Sequence, residues 1–475
     1  MLPYIIKSFR GGISDEHDKG VKGSFKFGYA LSIHSVDDIL TAKQAMATVE
    51  ETTVDGLVKF FVNTRDGSSY AFADNGDIYA RANEGNWNLA YVDSNGAIKG
   101  AAEWQLSDGN NYLIWCTDTS ISRKLFNGQP DLTWAGVEQN WKTTLDSADW
   151  HTMKNAGGVL NIANGNFLAT IDYTGNFDPA DLNVRPGNYL KCIDERDDYV
   201  LMGSERRDEA EEGHIWSWIT TATNWVQKKL IPVKGVNALI NTELMLLQGG
   251  SDGEIFFSDF INAVPLHGIP GGVQVNPGGV SIENDLAIFG FYGGTYPGLW
   301  TYGRKRKNRP FALNYDYRMA KGASGSTISE IGAVSMTNGT LLASWKTTDG
   351  STIDYGVDSV SSTTKATAVY EGLEFDNGMP HLKKFFNTIK LNITPLVSGT
   401  SISVKYKTDK ESAWRYAVLG SGSTTFSEAD QIEAIFSIEK PGAVYEVGVE
   451  LNPTSNNSPG VLAITSYLAD DSYEY

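Results

Sequence analysis

Cysteine is nearly absent: Cys116 and Cys192 are the only two in 475 residues. Such a chain cannot build a disulfide framework or a cysteine zinc site. Each thiol sits in an apolar run (Leu113-Ile114-Trp115-Cys116 and Tyr189-Leu190-Lys191-Cys192-Ile193), so buried free cysteines are expected. Histidine is also scarce. The six, at positions 17, 34, 151, 214, 267 and 381, are scattered, as surface or core residues are and metal ligands are not. There is no His-Glu-x-x-His, Walker loop or Gly-x-Ser-x-Gly elbow. The expectation is a protein that is not an enzyme and takes no cofactor.

Long apolar runs are missing too. Nothing approaches the roughly 20 residues that a membrane-spanning helix needs, so no membrane span is expected. Met1–Arg10 has no basic region followed by an apolar stretch, so it does not read as a signal peptide and synthesis in a cytoplasm is expected. Cations fall short of anions, 39 Lys and Arg against 57 Asp and Glu, for a net charge of −18. Specific nucleic-acid binding by phosphate neutralisation needs the opposite balance.

Glycine and aromatics, in contrast, are abundant: 49 glycines and 11% aromatic residues. Aromatics pack well on pleated surfaces, and glycine supplies positive-φ turns, which favours many short strands. Ser24–His34 alternates Phe25, Phe27, Tyr29, Leu31 and Ile33 with smaller or polar residues, a strand pattern. From about residue 55 a unit recurs whose apolar strands are anchored at Tyr70, Tyr112, Leu160, Tyr199, Leu244, Leu286 and Leu341, 39 to 55 residues apart. A second strand follows an Asn-Gly or Asp-Gly turn in Asp77-Ile78-Tyr79, Phe167–Ile171, Glu254–Phe257 and Ile353–Tyr355.

That spacing predicts propeller blades, best counted as seven, with six or eight open. An N-terminal strand is expected to close the ring on the last blade. Stretches 36–52 and 145–156 could be short helices. After Tyr370 the spacing changes. Ile389/Leu391/Ile393, Ile402/Val404/Tyr406 and Tyr445/Val447/Val449/Leu451 alternate with polar residues or small ones, as strands with one wet and one dry face do. The fold class is therefore all-β: an extended arm over 1–23, a β-propeller over 24–370 and an antiparallel, jelly-roll-like β-sandwich over 371–475.

Candidate interaction loops come from two insertions. One, lengthening the fourth hairpin, carries Glu205, Asp208, Glu209, Glu211 and Glu212; the other, after the sixth unit, carries Arg304, Lys305, Arg306, Lys307 and Arg309. Asp74–Asp77 and Asp172–Asp178 hold oxygen ligands without completing a calcium-loop signature. Ser107-Asp108-Gly109, Ser251-Asp252-Gly253 and Thr348-Asp349-Gly350 partly match Asp-box turns but lack the full spacing. Trp87, Trp134, Trp141 and Trp225 could stack on sugars, although packing is the commoner role. These features leave an alternative: a carbohydrate-binding or glycan-degrading propeller.

Two segments resemble a known family. Lys384–Leu391, Pro395-Leu396, Gly399–Tyr406 and Trp414 resemble sandwich modules at the end of phage tail proteins, and Phe9-Arg10-Gly11-Gly12-Ile13-Ser14 with Lys26-Phe27-Gly28 resembles the start of phage virion proteins. With a propeller between them, the chain is similar to tail nozzle or tail-hub proteins. The resemblance implies a virion protein in a homo-oligomeric ring around the DNA exit path, contacting other tail proteins such as an adaptor and fibres. It also implies that the acidic lumen lets DNA pass without sticking. The basic run Arg304–Arg309 would then face an acidic neighbouring subunit.

Overall fold

The computed structural model describes residues 2–14, 22–35, 37–65, 67–81, 86–126, 134–207, 212–269 and 273–470. Among them strands dominate and Ala320–Ala323 forms the single helix. The chain divides into two units. One comprises 47–299 and 319–359; the other comprises 1–46, 300–318 and 360–475.

The first unit is a propeller. Blades 1 to 5 are four-stranded antiparallel meanders: Val58–Asn63 to Asn88–Val92, Gly100–Gln105 to Val137–Lys142, Met153–Ala156 to Phe177–Asn183, Asn188–Arg196 to Gln227–Ile231, and Val236–Asn241 to Ala263–Gly268. Blade 6 contributes the hairpin of Gln274–Glu283 and Leu286–Tyr292. Blade 7 runs Ile328–Thr337, Thr340–Asp349 and Thr352–Lys365, and its outermost strand is Gln44–Glu50 from the N-terminal side. Seven units and closure by an N-terminal strand are thus both present, though the closing strand is 44–50 and not 24–34. The helices expected within 36–52 and 145–156 are absent; both stretches hold strands, Gln44–Glu50 and Met153–Ala156. Apolar alternation in Ala45–Val49 fits a strand, and the blade edge gives it a partner.

Burial explains which strands the sequence displays most clearly. Ser69–Ala73, Asn111–Cys116, Val159–Asn164, Tyr199–Arg206, Met245–Gly249, Leu286–Tyr292 and Thr340–Asp349, which read as the first strand of each unit, are second from the channel. Covered on both faces by neighbouring blades, they carry continuous apolar runs. Phe72 and Trp115, for example, share one core cluster between blades 1 and 2, their rings 6.3 Å apart. The Asn-Gly and Asp-Gly turns join second to third strands, with positive φ at Gly76, Gly165, Gly253 and Gly350 but not at the preceding Asn or Asp. They are not the turns with two positive-φ residues that the dipeptides suggest.

The innermost strands are less regular. In blades 1, 4, 5, 6 and 7 the register between first and second strands slips. Such bulges add local twist. Glycines accompany the closest approaches: a Cβ on Gly332 would lie 2.0 Å from the Val58 carbonyl oxygen, and one on Gly278 would lie 2.1 Å from that of Lys59.

The second unit is a two-sheet sandwich. One sheet has the order Leu2–Ile6, Val461–Asp470, Lys384–Ile393, Glu433–Gly442. The other includes, in this order, Ala312–Tyr317, Phe27–Tyr29, Ala368–Glu371, Tyr445–Asn452, Ser401–Thr408 and Arg415–Tyr416, with Thr425–Phe426 also on Ser401–Thr408. The sheets meet through rings: Phe386 lies 4.8 Å from Tyr445 and 6.3 Å from Tyr406, both edge-on. The alternation over 389–393, 402–406 and 445–451 points Ile389, Leu391, Ile402, Val404, Val447 and Val449 into this core.

The expected boundaries at 23/24 and 370/371 are not where the units divide. Residues 2–14 are not a free arm, because Leu2–Ile6 pairs with Val461–Asp470. Within Ser24–His34 only Ser24–Phe25 and Phe27–Tyr29 are strands, and they belong to this unit. The central strands also lack the wet face expected of them. Lys405 and Glu446 are buried, and Lys405 pairs with Glu371 at 2.8 Å while Glu446 pairs with Lys26 at 3.0 Å.

Candidate functional site

A propeller concentrates its surface features at the central channel and in the loops at the channel mouths. The channel here encloses about 410 Å³ and is lined by all seven innermost strands, with Phe61, Ala101, Met153, Ile193, Ile240, Ile282 and Val334 among its walls. Its charged groups, Lys154 and Asp194, join blades, as do other charged residues of the inner strands. Lys154 of blade 3 pairs with Asp194 of blade 4 at 2.9 Å, and Asp194 accepts from the backbone and side-chain amides of Asn241 of blade 5 at 3.0 and 2.9 Å. Lys59 of blade 1 pairs with Glu330 of blade 7, which also accepts from Asn276 of blade 6 at 2.9 Å. Lys191 of blade 4 reaches Glu205 at 2.9 Å and Asn237 of blade 5 at 2.8 Å.

Hydrolysis of a glycoside needs two carboxyl groups facing one sugar at about 5–10 Å. Asp194 is the one carboxylate among the described channel-lining residues, and it is held by Lys154 and Asn241. The tryptophans considered as sugar platforms are packed. Trp87 is buried. Trp134 lies against Tyr70, Tyr91 and Trp115, Trp225 lies edge-on to Trp216 at 5.3 Å, and Trp141 is covered by the Arg123 guanidinium at 4.2 Å.

The oxygen-rich turns are stabilised by their own hydrogen bonds. Asp172 accepts from the Thr174 amide and hydroxyl and the Asn176 amide and side chain at 2.7–3.0 Å. Asp77 accepts from Asn75 and Tyr79. Among the described residues no three His, Cys, Asp or Glu gather as a metal site would require. Both thiols are buried and free, and burial pushes Cys192 up to about 12 and Cys116 well above the ordinary thiol value.

The two insertions differ from each other. Around Glu205 and Glu212 the acids have partners: Glu205 holds Lys191, and Glu212 holds Arg206 at 3.1 Å. Arg207 reaches Asp149 at 2.5 Å. Asp208, Glu209 and Glu211 lie outside the described residues. The basic loop is organised to present charge outward. Arg304 stacks over Phe311 at 4.5 Å and donates to the Lys307 carbonyl at 3.0 Å, while the Arg309 amide closes a turn on Arg306. Lys305, Arg306 and Lys307 are exposed and form no ion pair among the described residues.

One group of charges does not stand out in the sequence: the tips of the first hairpins. Asp197 and Asp198 (blade 4) and Asp285 (blade 6) are exposed there. Taking the second strand of each blade as its first hides these turns, although Asp197-Asp198 and Asn284-Asp285 sit immediately before the clearest apolar runs.

No family model matches the chain, and no curated protein matches it. Among solved structures it is similar to the Cps50 (Swd1) β-propeller domain of Myceliophteria thermophila, at 12% identity and TM-score 0.43, over 65% of this chain and 98% of that one. It is also similar to the RRP9 WD40 repeats, at 13% identity and TM-score 0.45, over 64% and 92%. The blade count comes from the strand order of this chain itself, and the architecture is that of a β-propeller scaffold.

Proposed function

We propose that this chain is a non-catalytic structural component of a phage tail, arranged as a ring of the nozzle or hub type around the DNA exit path. One observation carries the reading. The two separated segments that resemble phage tail and virion proteins belong to the same unit of this chain. Phe27–Tyr29 pairs with Ala368–Glu371, which pairs with Tyr445–Asn452 and through it with Ser401–Thr408, so parts of both segments share one sheet. The resembling pieces therefore make one module, built from both ends of the sequence, and the propeller is the other.

The chemistry fits a mechanical role. Charged pairs of the inner strands join blades, and a net charge of −18 per copy, multiplied around a ring, repels the phosphates of passing DNA. Exposed loops then serve as contacts to an adaptor, to fibres and to neighbouring copies. Mass photometry of the purified chain, with electron microscopy of tailed particles that contain it, tests the proposal. A ring or a defined place in the tail is expected; a persistent monomer that binds or cleaves polysaccharide would overturn it.

A further inference from the structure

The sandwich unit holds a concavity of about 400 Å³ beside its edge strand Leu2–Ile6. One wall is that strand with its continuation through Lys7 and Ser8; the other is Lys22–Ser24, and Tyr370 and Leu373 complete the lining. The walls meet where the Ser8 hydroxyl lies against Gly23, since a Cβ on Gly23 would come within 2.7 Å of it. The second wall is fixed in turn: the Gly11 amide donates to the Gly23 carbonyl at 3.0 Å, and Gly12–Ile13 pairs in parallel with Ser24–Phe25. Small-molecule sites occupy roughly 300–1,000 Å³, and this pocket falls at the lower end of that range.

The chemistry of the lining is one-sided. Lys7 and Lys22 are exposed and form no ion pair among the described residues, and no Asp or Glu is among the described residues that line the pocket. The acids beside Tyr370 and Leu373 are engaged elsewhere, Glu371 with Lys405 at 2.8 Å and Glu374 with Lys26 at 3.7 Å. Two uncompensated cations thus share one cavity on a chain whose net charge is −18. Tyr370 gives an independent sign of a ligand. It is 1% exposed, its ring is held by Phe9 at 5.4 Å and Phe25 at 5.5 Å, and what remains accessible opens on the pocket. Its hydroxyl has no hydrogen-bond partner among the described residues, and a buried donor left unmet is costly. Burial pushes that hydroxyl well above the ordinary phenol value, so it stays protonated and able to donate.

We propose that this pocket binds a small phosphate monoester, the phosphate meeting Lys7, Lys22 and the Tyr370 hydroxyl. Two lysines match a group of charge about −2, and its three terminal oxygens accept from the ammoniums and from the Ser8 and Ser24 hydroxyls as well. A carboxylate is recognised best by the fork of an arginine, and no arginine is among the described residues of the lining. Tyr4, Ile6 and Leu373 supply apolar surface for the body that carries the phosphate. The inference stands apart from the ring reading and goes beyond it.

Isothermal titration calorimetry of the full chain with phenyl phosphate, benzoate and phenol tests it. Phenyl phosphate should bind at one site per chain, more weakly as salt rises, and benzoate and phenol should not compete. Lys7→Ala with Lys22→Ala should weaken binding about tenfold or more, as the loss of charged donors implies. Tyr370→Phe should weaken it about 3–10-fold without lowering the melting temperature, because the hydroxyl it removes has no partner in the folded chain. Full affinity in either variant overturns the site, as does a wild type that takes up no phenyl phosphate at millimolar concentration. Benzoate binding as tightly as phenyl phosphate overturns the choice of phosphate. Displacement of phenyl phosphate by a double-stranded DNA probe overturns the small-ligand assignment, since the lysines would then be backbone contacts. None of these results touches the ring, which mass photometry reads separately.

Discussion

At the residue scale, buried polar side chains matter most where a tryptophan N–H needs an acceptor. Trp345 is fully buried and donates to Asp358 at 2.7 Å, and the other oxygen of Asp358 accepts from the Ala320 amide at 2.6 Å. Burial raises the Asp358 carboxyl above its ordinary range, opposed by those two donors. Asp358→Ala leaves both donors unsatisfied and should cost about 2–4 kcal/mol, read as a lower urea midpoint at unchanged slope. Trp115 makes the same kind of bond to Asp93, at 2.6 Å. Neither acid can be distinguished in the sequence from the many turn carboxylates around it, because what sets it apart is a partner 13 or 22 positions away.

Histidine gives a pH prediction with a definite sign. Burial lowers His34 and His214 to about 4, from an ordinary value of 6.5. The unfolded chain therefore binds more protons than the folded one between those values, and stability falls as pH drops from about 6.5 towards 4. Urea unfolding across that window should show the decline, and His34→Gln with His214→Gln should flatten it. A stability that rises on acidification in this window would contradict the assignment.

At the scale of elements, a blade depends on how closely its inner strand approaches its neighbours. Gly332→Ala and Gly278→Ala place a Cβ about 2 Å from a backbone carbonyl of blade 1. Backbone cannot yield as a flexible side chain does, so each should cost more than about 2 kcal/mol. Gly268 ends the outermost strand of blade 5, where an added methyl would meet nothing within 4 Å, and Gly268→Ala should leave the melting temperature nearly unchanged.

The same inner strands explain what the sequence does not reveal. Second and third strands are legible because burial on both faces makes them apolar throughout, and because a glycine turn separates them. First strands carry glycines, bulges and channel-facing polar groups, so their pattern is broken and the blades read one strand out of phase. The sandwich strands at 384–393, 401–408 and 445–452 are legible from their alternation. Leu2–Ile6 is not, since Pro3 weakens its pattern and its partner is the far end of the chain.

At the scale of the whole molecule, two facts are available from composition and spacing alone: an acidic chain and roughly seven repeated units. The division into units is not, because one unit collects three separated segments of sequence, and nothing local marks which distant strands will pair. The candidate loops are half legible. The basic run is visible as a run of charge, whereas the ion pairs that Glu205 and Glu212 make are not. Electron microscopy of tailed particles that contain this chain decides whether it forms a structural ring in a phage tail. Symmetric density at the tail, into which several seven-bladed units fit side by side, is the expected result. Particles whose tail density is fully explained by other proteins, with this chain recovered only as a free monomer, would contradict it.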